Sequence, residues 1–229
     1  MQFSYCMPSM WRYPPILKFL EDLVMFDRID ELLIWNNDDV RRQAVIRDCP
    51  TTLFDHPKVR LLGTGNNIGC NRAWNGLVRE AKNEAICMNN DDNIWPIQTL
   101  FRVEDHLSEE KPLICMSAGD PVWHQPPVET GVCKVVKWNP GESTFGAGCL
   151  FFIRKDFWAP IPESLKIFYG DNFFWDTCLI RGKPVHLLID FMYKTPFAQT
   201  TKEIPNLNQL MLHEHRMYGE ELRKWQTTL

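Results

Sequence analysis

The sequence predicts one α/β domain built on a mostly parallel sheet, and three observations carry that prediction. Short strand-like runs, Phe3 to Met7, Glu31 to Trp35, Val59 to Leu62 and Ala85 to Met88, alternate with stretches whose apolar residues recur at helical spacing. Two of these runs stop abruptly at polar clusters, Asn36-Asn37-Asp38-Asp39 and Asn89-Asn90-Asp91-Asp92. The chain has 229 residues, 45% of them hydrophobic, which suffices for one large core and leaves little room for a second.

Phe3 to Met7 is the first strand, and it runs directly into Pro8-Ser9-Met10-Trp11-Arg12. Proline is tolerated in a first helical turn, so Tyr13-Pro14-Pro15 opens a helix that carries Ile16, Leu17, Leu20, Leu23 and Val24 on one face. A loop between such a strand and helix lies at the carboxyl edge of the sheet, where ligands gather. Ser9 and Arg12 are placed to meet one there, and Arg12 fits a solvated loop equally well.

Glu31 to Trp35 and Val59 to Leu62 are the second and third strands, the third followed by Gly63-Thr64-Gly65-Asn66-Asn67-Ile68-Gly69. Glycines spaced by two and four match neither the G-x-x-x-x-G-K-[ST] loop nor the G-x-G-x-x-G fingerprint, which argues against a dinucleotide enzyme. Cys70, Ala73, Trp74, Leu77, Val78 and Ala81 then trace one face of a helix. Ala85 to Met88 follows as a buried strand ending at Asn89, Asn90, Asp91 and Asp92. Two adjacent carboxylates flanked by amides at a strand end suit a hard divalent cation that carries phosphate oxygens. Asn and Asp also dominate ordinary turns, so the cluster alone leaves both readings open.

Ile97 to Leu107 reads as a helix and Leu113 to Ser117 as a buried strand. The segment Ala118 to Gly131, with Trp123, His124, Pro126 and Pro127, reads as a structured loop whose rings either stack on a sugar or pack on the sheet edge. Val132 to Trp138 and Gly146 to Ile153 are strand-like, and Gly146-Ala147-Gly148 lets the backbone approach a ligand closely. A helix from Phe173 to Arg181 closes at Gly182. Asp171 lies just before it, where an acidic residue caps a helix or, with lone pairs left over, serves as a base. Val185 to Ile189 is the last strand, and Leu207, Leu210, Met211, Glu214, Met217 and Tyr218 belong to a C-terminal helix. His213 and His215 diverge by about 200° on that helix and cannot share a metal; with His186 they read as surface or packing residues.

A formal charge of −4 gives no general attraction to a polyanion. No apolar stretch reaches the eighteen or so residues that cross a bilayer, and no basic region precedes an apolar segment at the N-terminus, so a soluble cytoplasmic protein is expected. Eight dispersed cysteines without a C-x-x-C pair indicate neither a zinc site nor a disulfide framework.

Taken in order, P-S-x-x-R after the first strand, N-N-D-D after the second, N-N-I-G-C-N-R-A-W-N-G entering the next helix, and N-N-D-x-x-x-x-P after the fourth strand resemble the GT-A glycosyltransferases. The resemblance is to the family 2 branch in particular, whose metal motif often reads N-N-D, and it spans roughly residues 3 to 185. It implies a Rossmann-like GT-A sheet in one domain over residues 1–229, with a nucleotide-sugar half at 1–117 and an acceptor and catalytic half at 118–229. It implies that Pro8, Ser9 and Arg12 flank the nucleotide, that Asn37 or Asp38 reads the base, and that Asn67, Gly69 and Arg72 line its pocket, with Asn75 on the following helix. The usual D-x-D becomes Asn89-Asn90-Asp91. Asp91 is thereby the implied metal ligand, Asn89 and Asn90 are donor-binding positions, and Asp92 falls on a variable position. Gly170-Asp171 stands where an acidic pair supplies the base, leaving Asp171.

The implied activity is metal-dependent transfer, with Mn2+ or Mg2+, of a hexosyl or deoxyhexosyl group from a UDP-, GDP- or dTDP-linked donor, with inversion. The hydroxyl acceptor is left open among a glycan, a lipid-linked sugar, a protein and a modified DNA base. A nucleotidyltransferase is one alternative, although Pro8 to Tyr13 lacks the expected glycine-rich loop. A non-catalytic sugar-nucleotide or glycan-binding module is another, motivated by the acids missing at Asn89 and Gly170.

Overall fold

Side chains along β1 (Phe3–Ser9) point alternately to the two faces of a sheet, and both faces are covered. Phe3, Tyr5 and Met7 enter one core cluster and Cys6 the other. β4 (Ala85–Asn89) repeats the pattern, with Ala85 and Cys87 on the first side and Ile86 and Met88 on the second. Strands buried on both faces read as continuous apolar runs, which is why the sequence announces them so plainly. The computed structural model describes residues 1–116, 128–137, 146–192 and 204–227, and the side chains of 128–136 and 189–192 are not described.

The chain runs β1, α1 (Ile16–Val24), β2 (Ile29–Asn36), α2 (Asp39–Asp48), β3 (Val59–Leu62), α3 (Cys70–Glu80), β4, α4 (Thr99–Glu104) and β5 (Leu113–Met116). It continues with β6 (Val128–Lys137), β7 (Leu150–Arg154), α5 (Gly170–Ile180), β8 (His186–Met192) and α6 (Leu207–Gln226). The strands form one sheet in the order β3-β2-β1-β4-β7-β5-β8-β6. β1 to β5 and β8 run one way; β7, wedged antiparallel between β4 and β5, and β6, antiparallel to β8, oppose them. Helices α1 and α4 cover one face, while α3, α5 and the inner side of α6 cover the other.

The mostly parallel α/β sheet expected from the sequence is present, with differences that have physical causes. α2 escapes periodicity because Val45 is its sole buried residue; Asp38, whose carboxylate accepts the Arg41 amide, is its N-cap. Gly146 to Cys149 form a turn rather than the start of β7, since Cys149 N–H closes onto the Gly146 carbonyl. α5 starts at Gly170, three residues before the apolar run, so Asp171 lies inside the first turn and the N-cap position falls to Tyr169. The loop with Trp123, His124, Pro126 and Pro127 lies outside the described residues, as do Ser117 and Trp138.

Candidate active site

The carboxyl ends of β1, β2 and β4 meet the N-terminal ends of α3 and α5 around a cleft of about 780 Å³. At the end of β1 the backbone turns through Trp11, a non-glycine residue at φ 57°. That left-handed conformation is held by its buried indole, whose Nε1 donates to Asn36 Oδ1 at 2.8 Å. The turn aims two backbone N–H groups inward. Asp91 Oδ2 accepts from Met10 N at 2.8 Å, from Trp11 N at 3.0 Å and from the Ser9 hydroxyl at 2.7 Å. One oxygen of Asp91 is therefore saturated by the β1 loop, and Oδ1 is the oxygen left over.

Asp92 is placed differently. It lines the same cleft, no other residue among those described donates a hydrogen bond to it, and burial together with the Asp91 charge pushes its carboxyl up to about 7. Burial also raises Asp91, against the opposing pull of the Ser9, Met10 and Trp11 hydrogen bonds and of Arg12. Two adjacent carboxylates held above their usual range suit a divalent cation, which supplies the missing positive charge. No group of three His, Cys, Asp or Glu side chains among the described residues forms a metal cage, so such a cation would draw its remaining ligands from a bound phosphate.

Asp171 completes the arrangement. Its Oδ1 accepts the Asn172 amide at 2.9 Å, and its Oδ2 lies over Gly148, where an added Cβ would stand 2.1 Å away. Only glycine tolerates that approach. Burial raises the Asp171 pKa, with partial relief from the amides of its own turn. The turn carrying Gly148 ties this carboxylate to the β4 end, because Asn90 N–H donates to the Cys149 carbonyl at 3.0 Å. Cys70, first residue of α3, feels the charges of Asp91, Asp171 and Asp92 together, so all three carboxylates bear on one small region. Gly170, where the implied acidic pair loses its first member, has its own reason: a Cβ there would stand 2.2 Å from Asn71 Oδ1.

Of the residues expected at the site, Pro8, Ser9, Arg12, Asn37, Asn67, Gly69, Asn90, Asp91 and Asp171 line the cleft. Asn37 also accepts the Ile68 amide at 3.3 Å, tying β2 to the glycine-rich loop. Four residues are placed elsewhere. Asp38 caps α2 and pairs with Arg41. Arg72 turns out to the Glu163 carbonyl and carboxylate. Asn75 braces the Trp158 to Ile161 segment through both of its polar atoms. Asn89 is buried, its amide donating to Tyr5 Oη at 2.7 Å and to the Asn93 carbonyl, so it sets the geometry of the strand end from beneath.

Asp92 lines the cleft beside Asp91, as the pair of adjacent carboxylates suggested and the resemblance, which leaves it at a variable position, did not; sequence reasoning did not anticipate Cys70, Trp74 and Cys149 in the lining, nor the α6 side contributed by Ile204, Pro205 and Met211. Trp74 is buried, and its indole N–H has no partner among the described residues. No position-by-position signal marks these residues, because turn composition and helix periodicity account for all of them. His213 and His215 are exposed on α6, and the ring of His215 rests 5.2 Å from that of Tyr169; His186 is buried in β8, which lowers its pKa.

No family model and no curated protein sequence matches the chain. Solved structures do. TarS residues 1–349 from S. aureus superposes with a TM-score of 0.62 at 14% identity, over 84% of this chain and 59% of that one. The same protein in complex with UDP-GlcNAc gives 0.64 at 12% identity, over 90% and 62%. The mannosyltransferase PcManGT from Pyrobaculum calidifontis, in complex with GDP-Man and Mn2+, gives 0.54 at 15% identity, over 81% and 56%. This chain spans about three fifths of the length of those chains, and 36% of a longer TarS chain. The likeness establishes a GT-A fold.

Proposed function

We propose that the protein is a glycosyltransferase that moves a sugar from a nucleoside diphosphate donor to a hydroxyl acceptor, with a divalent cation at Asp91 and Asp92 and with Asp171 as the base. The observation that carries this reading is the convergence of three carboxylates on one cleft of a GT-A fold, one of them packed directly over a glycine. The fold likeness to TarS with UDP-GlcNAc and to a mannosyltransferase with GDP-Man and Mn2+ supports a donor of that class.

The requirements of the reaction are few: hold the diphosphate, offset its charge as it leaves, and take the acceptor proton. The chemistry a Mn2+ or Mg2+ ion would supply when held there is Lewis acidity toward the leaving diphosphate. Asp91, clamped by Ser9, Met10 and Trp11, would offer Oδ1 to that cation, and Asp92 would offer its cleft-lining carboxylate. Arg12 lines the same side and adds positive charge. Asn37, Asn67 and Gly69 are assigned to the nucleoside, and the distinction between guanine and a uracil-type base is theirs to make. Residues 1–117 thus hold the donor and 118–229 the acceptor and base.

As base, Asp171 abstracts the hydroxyl proton while the acceptor oxygen attacks the anomeric carbon from the face opposite the leaving diphosphate, which inverts the configuration. The expected substrates are UDP-, GDP- or dTDP-sugars and a glycan, lipid-linked sugar, protein or modified-base hydroxyl. The test is release of nucleoside diphosphate from UDP-GlcNAc and GDP-Man with Mn2+, compared between the wild type and Asp171→Asn. Asn keeps the bond to the Asn172 amide, so melting temperature and donor affinity should hold while kcat falls by a factor of about 100 to 10,000. Because burial raises the Asp171 pKa, the acidic limb of the wild-type rate profile should lie above the usual carboxylate value of about 3.9. Binding of nucleotide without any release would point to a binding module and overturn the reading.

A further inference from the structure

The loop that delivers Asp171 has almost no regular structure of its own, yet its backbone is satisfied from both sides by two side chains of opposite polarity. From α3, Asn71 Nδ2 donates to the carbonyls of Leu165 and Phe168 at 3.2 and 3.1 Å, and the Asn71 amide donates to the Lys166 carbonyl. From α6, Glu214 takes the other half. Its carboxylate accepts the N–H groups of Lys166, Ile167 and Phe168 at 3.1, 3.2 and 2.7 Å.

Glu214 is fully buried. A carboxylate withdrawn from water is costly unless its lone pairs are filled, and three converging amides fill them. An amide side chain would present one acceptor oxygen and an NH2 that faces other donors, so the chemistry at this position is specific to an acid. Three residues after the last bonded amide comes Asp171, with the left-handed Tyr169 between them at φ 60°. The same stripe of α6 grips the region twice more: Met211, one turn earlier, lines the cleft, and Tyr218, one turn later, stacks on Tyr169 at 5.5 Å and bonds Asp176 through its hydroxyl.

We infer that Glu214 is a positioning residue for sugar transfer: from the C-terminal helix it latches the 166–168 loop and so sets the approach of Asp171 to the acceptor. The inference rests on Asp171 being the base. It assigns α6 a part in the chemistry that its distance in sequence conceals.

The test is Glu214→Gln in the full chain, read three ways. Hydrogen exchange at the Ile167 and Phe168 amides should quicken, turnover with Mn2+ and donor should fall about 10- to 100-fold well below the melting temperature, and UDP affinity with Mn2+ should stay within about threefold. Glu214→Asp, with the charge kept on a shorter reach, should show the same ordering of effects at smaller size and serves if the Gln variant folds poorly. Slow exchange at those amides in either variant shows that no latch exists. Fast exchange with normal turnover shows that the latch does not position the base. An unchanged rate in Asp171→Asn instead overturns the base assignment, and the exchange result stands apart from it.

Discussion

At the scale of single residues, Asp91 and Asp92 are neighbours with different surroundings, and the difference is testable. Asp91 spends one oxygen on three donors from the β1 loop, so Asp91→Asn turns an NH2 or a lone oxygen toward groups that all need an acceptor. Asp92 lies in the cleft without such partners among the described residues. Both substitutions should abolish Mn2+-dependent turnover. Only Asp91→Asn should also lower the metal-free melting temperature, by several degrees, while Asp92→Asn leaves it unchanged or higher. Retained turnover in Asp92→Asn would return the cation to Asp91 alone. The resemblance aligns Asp91 with the metal motif and leaves Asp92 at a variable position; nothing in the order N-N-D-D says which carboxylate is clamped from behind, because the clamp comes from residues some eighty positions away.

At the scale of elements, the turn before β7 and the first turn of α5 must fit each other closely. Gly148 has no room for a methyl group, since a Cβ would stand 2.1 Å from Asp171 Oδ2 and 2.7 Å from its Cβ. Gly148→Ala should therefore fold, because Gly148 is not at positive φ, but displace the Asp171 side chain. Turnover should drop about 100-fold, as a misplacement near 1 Å does, with donor affinity kept. Steady-state rates beside calorimetry with UDP and Mn2+ check it, and an equal loss of affinity would show that the turn serves the donor instead. Composition did mark Gly146-Ala147-Gly148 as a place of close approach. What approaches is a side chain of α5, which the small residues cannot reveal by themselves.

At the scale of the whole molecule, the cleft stores unneutralised charge that binding should relieve. Asp92 has a folded pKa of about 7 against an unfolded value near 3.9, so between those values the native state holds a proton that the unfolded chain has released. Metal-free stability is thus favoured by Asp92 at the acid end and declines as pH rises through about 7. The sign reverses with a cation, which needs the ionised form. Without metal, the wild type should lose melting temperature relative to Asp92→Asn between about pH 5 and 8, by a few degrees for a chain of this size. Mn2+ with UDP should raise the wild type more at pH 8 than at pH 5 and close the gap. Thermal shifts across that range check both signs; a pH-independent difference between the two proteins would remove Asp92 from the cleft's charge balance.

The sequence by itself determined the alternation of strands and helices, the polar ends of β2 and β4, and the order in which loops reach the cleft. These follow from apolar periodicity and local turn chemistry, which act between residues a few positions apart. It did not determine α2, whose surface is polar nearly all round, nor the reversed β7, since strand direction is a property of pairing. Nor did it separate Asn37 and Asn67, which reach the cleft, from Arg72 and Asp38, which bond to Glu163 and to the first turn of α2. Tertiary structure decided those matters, along with the clamp on Asp91 and the burial of Glu214 beneath the loop it holds. Each depends on a hydrogen bond or a close contact between segments far apart in the chain, and such a partner is chosen only when packing brings the two together.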